Sequence, residues 1–244
     1  MDALPFIHVP NTALGNAKYG ARLHINKPSP SRKEKRMLTL EQFSGFLVAA
    51  LLITATPGPD NLMVLGMGIS NGRRQGIAFG LGCAAGCLSH TLLAVIGVSA
   101  LIAASPTAFT LLKTLGGLYL IWLGLNAWRS SGSAGVKSVG TATNSSGSLF
   151  LKGCIANAIN PKVVLFFLSF LPQFVVATHG QVPMQMAGLG LTFTLQAAVL
   201  FSLLGYFSGA VGQWLTKQPK ASVILDRVAG TIFVGLGLRL LISA

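Results

Sequence analysis

Charge is what this sequence has least of. Asp and Glu together number five in 244 residues, and charged residues of all kinds make up 9% of the chain. Soluble domains carry roughly a quarter, so an ordinary water-soluble globule is excluded. Cysteine is nearly as scarce. Cys83, Cys87 and Cys154 all fall in apolar runs and their number is odd, which excludes a disulfide framework and leaves buried, inert thiols as the default. There is no GxxxxGK[ST] loop, no metal-ligand spacing and no nucleophile–base constellation. ATP-driven work by this chain alone therefore has no carrier, and neither a cofactor, a metal nor an enzymatic role is expected. Any pumping must draw on an ion gradient.

What is present is apolar. Hydrophobic residues make up 52%, the mean hydropathy is +0.66, and 29 glycines provide the small side chains on which membrane helices pack closely. The composition is that of an integral membrane protein. The net charge of +13 invites a nucleic-acid reading. That reading fails on distribution, because beyond residue 36 the basic residues stand singly or in pairs between apolar runs, as topology signals do.

Residues 1–36 differ from the rest. They hold seven of the 18 basic residues, Pro5, Pro10, Pro28 and Pro30, and no long apolar run. The segment reads as a disordered arm, with a transit peptide or polybasic anchor as alternatives. Met37 reads as a natural start, which would make the arm a start-site extension and residues 37–244 the membrane domain. A secretory signal fits poorly, since this stretch is too long for an n-region.

Six apolar segments follow, at about 42–67, 76–104, 108–128, 150–177, 184–212 and 222–243, each near the ~20 residues a bilayer requires. The fourth exceeds one span, so Leu149 to Asn160 reads as a re-entrant or interfacial piece. The polar linker from Arg129 to Ser148 divides the protein into two halves of three helices. Arg73 and Arg74 follow helix 1, Arg129 and Lys137 follow helix 3, and Lys217 and Lys220 follow helix 5, with Arg227 just inside the last segment. The other two loops carry no Lys or Arg. The positive-inside rule puts the first set in the cytoplasm and both chain ends outside. The basic arm contradicts this, and a start at Met37 removes the contradiction.

Three helices per half means that duplicated halves are inverted relative to each other. Helix 1 carries Pro57-Gly58-Pro59-Asp60-Asn61 and helix 4 carries Asn160-Pro161-Lys162, each a proline break with a charge directly after the proline. Broken backbone at membrane depth is tolerated only in protein or beside a wet cavity. Paired broken helices in inverted repeats point to a transporter's central site. The expected fold is thus all-α, six transmembrane helices as two inverted three-helix repeats with helices 1 and 4 broken.

Pro59 suits the first position of a second half-helix, which puts Asp60 and Asn61 in its positive first turn. Asp60 could bind a substrate ammonium or carry a proton, or simply cap amides. Asn61 has the same two readings. Lys162 is the mirror charge: together with Asp60 it suits a zwitterion such as an amino acid, or else it snorkels to the surface. Asn157 and Asn160 satisfy backbone at the kink or touch ligand. His90 is either a proton relay or a packing residue. Gly76-x3-Gly80, Gly82-x3-Gly86 and Gly205-x3-Gly209 read as close helix seams, within a protomer or between protomers of a homo-oligomer. Lys113 and Arg239 read as helix-end markers, and Gln173 as lining an outward vestibule.

From Met37 to the end the chain resembles the lysine-exporter (LysE/RhtB) family of bacterial amino-acid exporters. The resembling residues are Pro57-Gly58-Pro59-Asp60-Asn61, Gly72-Arg73-Arg74 with Gly76, Tyr119-Leu120 with Leu123-Gly124, Asn160-Pro161-Lys162 and Leu171-Pro172-Gln173-Phe174. The resemblance implies a six-helix carrier of the bacterial inner membrane. It implies export of amino acids such as homoserine, threonine or lysine, by exchange with protons. Residues 1–36 have no counterpart in the family pattern. Members often have Asn where this chain has Asp60, so the carboxylate tunes substrate choice or carries the proton. Two alternatives of the same six-helix form remain. One is a thiol electron relay through Cys83, Cys87 and Cys154, although neither break contains a cysteine. The other is a cation exporter, which would want more acidic or His ligands than Asp60 and His90.

Overall fold

A computed structural model describes residues 38–130 and 145–243. The arm 1–36 and Lys137, with most of the polar linker, lie outside the described residues.

Every described element is helical. Thr39 starts the first helix with a capping box: its hydroxyl accepts from Gln42 N, and Gln42 Oε1 accepts from Thr39 N. The helix α1 (Leu40–Ala55) stops because Pro57 drives Thr56 out of helical conformation. Pro59 then opens α2 (Pro59–Asn71) at its first position. Gly72, at φ +94, ends α2 and starts α3 (Arg73–Leu93), a turn that a side chain would resist. A π-turn at Ala94–Val98 leads into α4 (Ser99–Ala104), and Ser105 caps α5 (Pro106–Arg129) through Ala108 N.

The second half repeats the pattern. Ser145 caps α6 (Ser146–Ala158), Asn160 breaks the run, and Pro161 opens α7 (Pro161–Leu165). A π-turn at Phe166–Phe170 and a 3-10 turn at Leu171–Phe174 continue it. Then come α8 (Val182–Tyr206), α9 (Ser208–Lys217) and α10 (Pro219–Ile242).

Four stretches are long and apolar enough to cross a bilayer singly: Arg73–Leu101, Pro106–Arg129, Val182–Tyr206 and Lys220–Ile242. Two more crossings come from bent pairs, α1 with α2 at 55° and α6 with Pro161–Phe174 at 53°. This is the six-helix, all-α membrane architecture, with breaks at corresponding places in the two halves. The expected fifth segment is shortened, because the chain kinks at Phe207 and the residues from Ser208 onward form α9. The residues expected to be re-entrant or interfacial, Leu149 to Asn160, form the first arm of the second bent pair.

The molecule is inverted in polarity compared with a soluble globule. Leu92, Ile96, Leu195 and Val199 are about 60% exposed, whereas Asp60, His90, Asn157, Lys162 and Gln185 are buried. A bilayer accepts those aliphatic faces; water would not. Close contacts run along glycine. A Cβ at Gly76 would sit 2.8 Å from Gly68 Cα, one at Gly80 2.9 Å from Phe201 Cβ, and Gly82 and Gly153 bring α3 and α6 together backbone to backbone. The expected Gly205-x3-Gly209 seam is only half right. Gly205 lies against Gly76, but Gly209 belongs to α9 and faces open space. A further seam, Gly117 and Gly124 of α5 on Gly237 and Gly230 of α10, was not anticipated.

Aromatic rings fill the centre. Phe166 stacks near Phe193 (5.2 Å) and Phe170 (5.2 Å), and Phe170 near Phe174 (5.4 Å). At the end of that row Gln42 Nε2 donates to Phe174 O and to Gln185 Oε1. The buried Gln185 donates in turn to Val176 O and Gly180 O, so one amide side chain closes the loop before α8. Lys113 donates to Ser243 O, tying α5 to the end of α10. Gln173 bonds Ser169 O and accepts from Ser243 Oγ in the same region.

A candidate substrate site where the broken helices meet

The two breaks meet and bond to each other. Asp60 is 4% exposed, and its Oδ2 accepts from Asn157 Nδ2 at 2.8 Å across the interface between α2 and α6. Its other oxygen, Oδ1, is buried with no hydrogen-bond partner. A bare, buried carboxylate oxygen is costly unless something binds there. The carboxylate stands in the first turn of α2, at the positive end of the helix.

Lys162 is 7% exposed and does not reach a membrane surface. Its Nζ donates to Thr56 O at 2.8 Å and lies 5.4 Å from the centre of the Phe233 ring. In the first turn of its own helix a cation is disfavoured. Thr56 O, however, is the cap carbonyl at the C-terminal end of α1, where a cation is favoured. Lys162 therefore belongs electrostatically to the other repeat. Gly58 makes room for it: a Cβ there would lie 3.1 Å from Nζ. Gly58 itself is extended (φ −169), so space and not backbone conformation explains the glycine. Pro57, Pro59 and Pro161 set the ends of the half-helices and contribute no polar group to the pocket.

The asparagines divide between ligand-facing and local roles. Asn61 Nδ2 donates to Thr54 O (2.9 Å) across its own break, and Asn160 Oδ1 accepts from Lys162 N (3.1 Å) as a helix cap. Asn157 is the hub. Besides Asp60, its Oδ1 accepts from the Cys87 thiol (3.4 Å) and its carbonyl lies 3.0 Å from His90 Nε2. His90 is 1% exposed, and its ring lies 5.6 Å from that of Phe167.

Asp60, Asn61 and Lys162 border one small pocket with Thr54, Asn157 and Cys87; Ile53, Phe166 and Phe193 form much of its apolar wall. The void is about 20 Å³, room for one water molecule. An amino acid does not fit until the helices move. The sequence did not single out Thr54 or Gln196, whose Nε2 donates to Thr54 Oγ1 at 2.8 Å. The available signal for Gln196 was a lone amide in the apolar run of α8. Among the described residues, no group of three or more His, Cys, Asp or Glu side chains is placed to hold a metal ion.

A family model described as LysE type translocator matches residues 51–244. An uncharacterized membrane protein of Vibrio cholerae is 31% identical over 201 residues, covering 80% of this chain and 94% of its own length. A homoserine/homoserine lactone efflux protein of Salmonella typhimurium is 30% identical over 207 residues, covering 85% and 98%. A leucine efflux protein of an Enterobacter species is 32% identical over 200 residues, covering 81% and 94%. No solved structure matches the chain. With a family model spanning both breaks and relatives matched over nearly their whole length, the chain belongs to the LysE type translocators, a family of membrane transporters and not of enzymes.

Proposed function

We propose that this protein exports neutral amino acids from the cytoplasm in exchange for protons, binding them as zwitterions between the two broken helices. The observation that carries the reading is the charge arrangement of the pocket: one buried carboxylate with a bare oxygen, and one buried ammonium. The substrate ammonium takes Asp60 Oδ1. Its carboxylate takes Lys162 Nζ, with the first amides of α2, which Gly58 has no side chain to cap, as further donors. The apolar wall receives the side chain.

Charge counting narrows the substrate. A zwitterion leaves the pocket neutral. Lysine would bring a third charge, and neither Asp60 nor Lys162 is left to pair it; such a charge is expensive inside a membrane protein. The relatives named for homoserine and leucine efflux agree with a neutral side chain. Transport follows from rocking of the halves. The row of Phe rings and the Gln42–Gln185 bonds close one side, and the bonds from Lys162 and Asn157 across the breaks must loosen for the pocket to admit an amino acid. By the charge rule, the end with Arg73 and Arg74 faces the cytoplasm, and residues 37–244 are the transport unit.

The test is a dipeptide-feeding efflux assay in bacterial cells lacking their own exporters, with residues 37–244 and the full chain side by side. Leucine or homoserine appearing outside faster than in control cells, and stopping on addition of a proton uncoupler, is the expected result. An unchanged rate for every amino acid, with the protein present in the membrane, overturns the reading.

A further inference from the structure

One buried titratable group has no part in the zwitterion contacts. Carbonyl oxygens only accept, so the 3.0 Å contact between His90 Nε2 and Asn157 O requires the hydrogen on Nε2. In the neutral ring Nδ1 is then a lone pair, and that atom is buried with no hydrogen-bond partner. A structural histidine would satisfy both nitrogens. This one keeps a basic nitrogen bare.

Its surroundings explain why. Asn157, on α6 beside the second break, holds His90 by its carbonyl and Asp60 by its amide, so one residue ties both groups to the helix that must move. From α2 the charged group reaching His90 is Asp60. Lys162, on α7, lines the pocket that Asp60 and Asn157 also border. Cys83 and Cys87 are on α3 itself, and Cys154 is on α6. The stretch of α8 from Val182 to Gly205, packed against α3, carries no titratable side chain. Asp60 is thus one anion for two prospective cations besides Lys162: a substrate ammonium in the pocket, and an imidazolium at His90, which stands behind Asn157.

We infer that His90 Nδ1 is the site of the exchanged proton, and that substrate and proton exclude each other by competing for the field of Asp60. This rests on the zwitterion reading above. With the pocket open to the outside and empty, Nδ1 takes a proton from water and the imidazolium is stabilised by Asp60. On the cytoplasmic side the arriving substrate ammonium occupies Asp60 Oδ1, two cations then face one carboxylate at low dielectric, and Nδ1 returns its proton to water. Per cycle one O–H bond of hydronium on the outer side is exchanged for an N–H bond at Nδ1, the reverse exchange releases hydronium on the cytoplasmic side, and no other covalent bond changes.

The full chain in proteoliposomes separates the two readings. Leucine and homoserine counterflow needs no net proton movement and reports the zwitterion site. Accumulation under an imposed gradient, acid inside, reports coupling; one proton per substrate gives about tenfold accumulation per pH unit. His90→Gln keeps an N–H for Asn157 O but has no titrating nitrogen. It is expected to preserve counterflow while accumulation falls to unity. Full accumulation in His90→Gln overturns the inference, and so does counterflow in the wild type without any response to the gradient; in that second case the substrate reading survives. Should His90→Gln fail to fold, histidine nitrogen NMR of the wild type in lipid decides. The buried Nδ1 must gain a proton on acidification and lose it on saturation with leucine. A signal fixed in the Nε2–H form from about pH 5 to pH 9 overturns the assignment. If no amino acid shows counterflow, the zwitterion reading fails, and the titration without substrate still judges His90.

Discussion

The two breaks are built alike and finished differently. Both bend a helix by just over 50°, both place proline first in the second arm, and both set a charge next. The break at Asn160 satisfies itself: its asparagine caps Lys162 N, and its cation is sent away to Thr56 O. The break at Gly58 is left open. It has no capping side chain, it accepts the lysine of the other repeat, and it keeps one carboxylate oxygen bare. The difference shows how a duplicated motif divides its labour. One copy keeps an unpartnered carboxylate oxygen, and the other supplies the cation that bonds to the end of α1 beside it.

Removing the donated charge breaks this arrangement most severely. Lys162→Ala strips the cation from the end of α1 and leaves Asp60 as an uncompensated charge in the pocket. Breaking a buried charge arrangement in this way costs about 3 kcal/mol or more. A clear drop in melting temperature in detergent is expected, together with efflux at background. A variant that melts and transports like the wild type would mean that the two breaks are electrostatically independent.

Asp60→Asn removes the carboxylate charge and leaves Lys162 its bond to Thr56 O. The amide still accepts from Asn157, so the fold is expected to survive, while the substrate ammonium loses its counter-charge. Hydrogen bonds to charged groups contribute about 1.5–3 kcal/mol, equivalent to a rise in KM for leucine of roughly tenfold to a hundredfold. KM measured in membrane vesicles checks this. An unaltered KM would remove Asp60 from the binding site.

Gly58→Ala tests the approach of one break to the other. The added methyl would meet Lys162 Nζ at 3.1 Å, and a flexible side chain can yield a few tenths of an ångström. Insertion is expected to be normal, with efflux slowed by a few-fold to about tenfold as the ammonium shifts, since that is roughly 1 kcal/mol. Gly58→Val, with more bulk in the same place, is expected to be slower again. Equal rates across glycine, alanine and valine would show that the space at Gly58 is not used.

Much of this was legible in the sequence, for identifiable reasons. Proline cannot continue a helix, so Pro57, Pro59 and Pro161 announced the bends, and apolar runs of bilayer length announced the spans. The partners were not legible. Lys162 looks from the chain like a residue of helix 4, and only the fold brings it to Thr56, 106 positions earlier. Asn157 and Gln196 are single amides whose importance lies in what they face. The π-turns at Ala94–Val98 and Phe166–Phe170 occur in apolar sequence, where Gly97 within the first and Pro172 just after the second do not by themselves specify a π-turn. The extra helix α9 was hidden because Tyr206 to Gly209 carries no proline to mark the kink.

The smallest effect is expected at the self-satisfied break, and for that reason it is the sharpest test of the comparison. Asn160 serves as a cap to its own segment: Oδ1 accepts from Lys162 N, and the Asn160 backbone continues into α7. Replacing a helix cap by alanine typically costs about 1 kcal/mol. Asn160→Ala is therefore expected to lower the melting temperature slightly while leaving the KM for leucine unchanged, because no substrate contact is lost. Asn61→Ala is the mirror substitution. It removes the bond to Thr54 O inside the pocket, beside the bare carboxylate, so it should raise KM as well as lower stability. If both asparagines move KM equally, the two breaks share the substrate, and the division of labour between them does not hold.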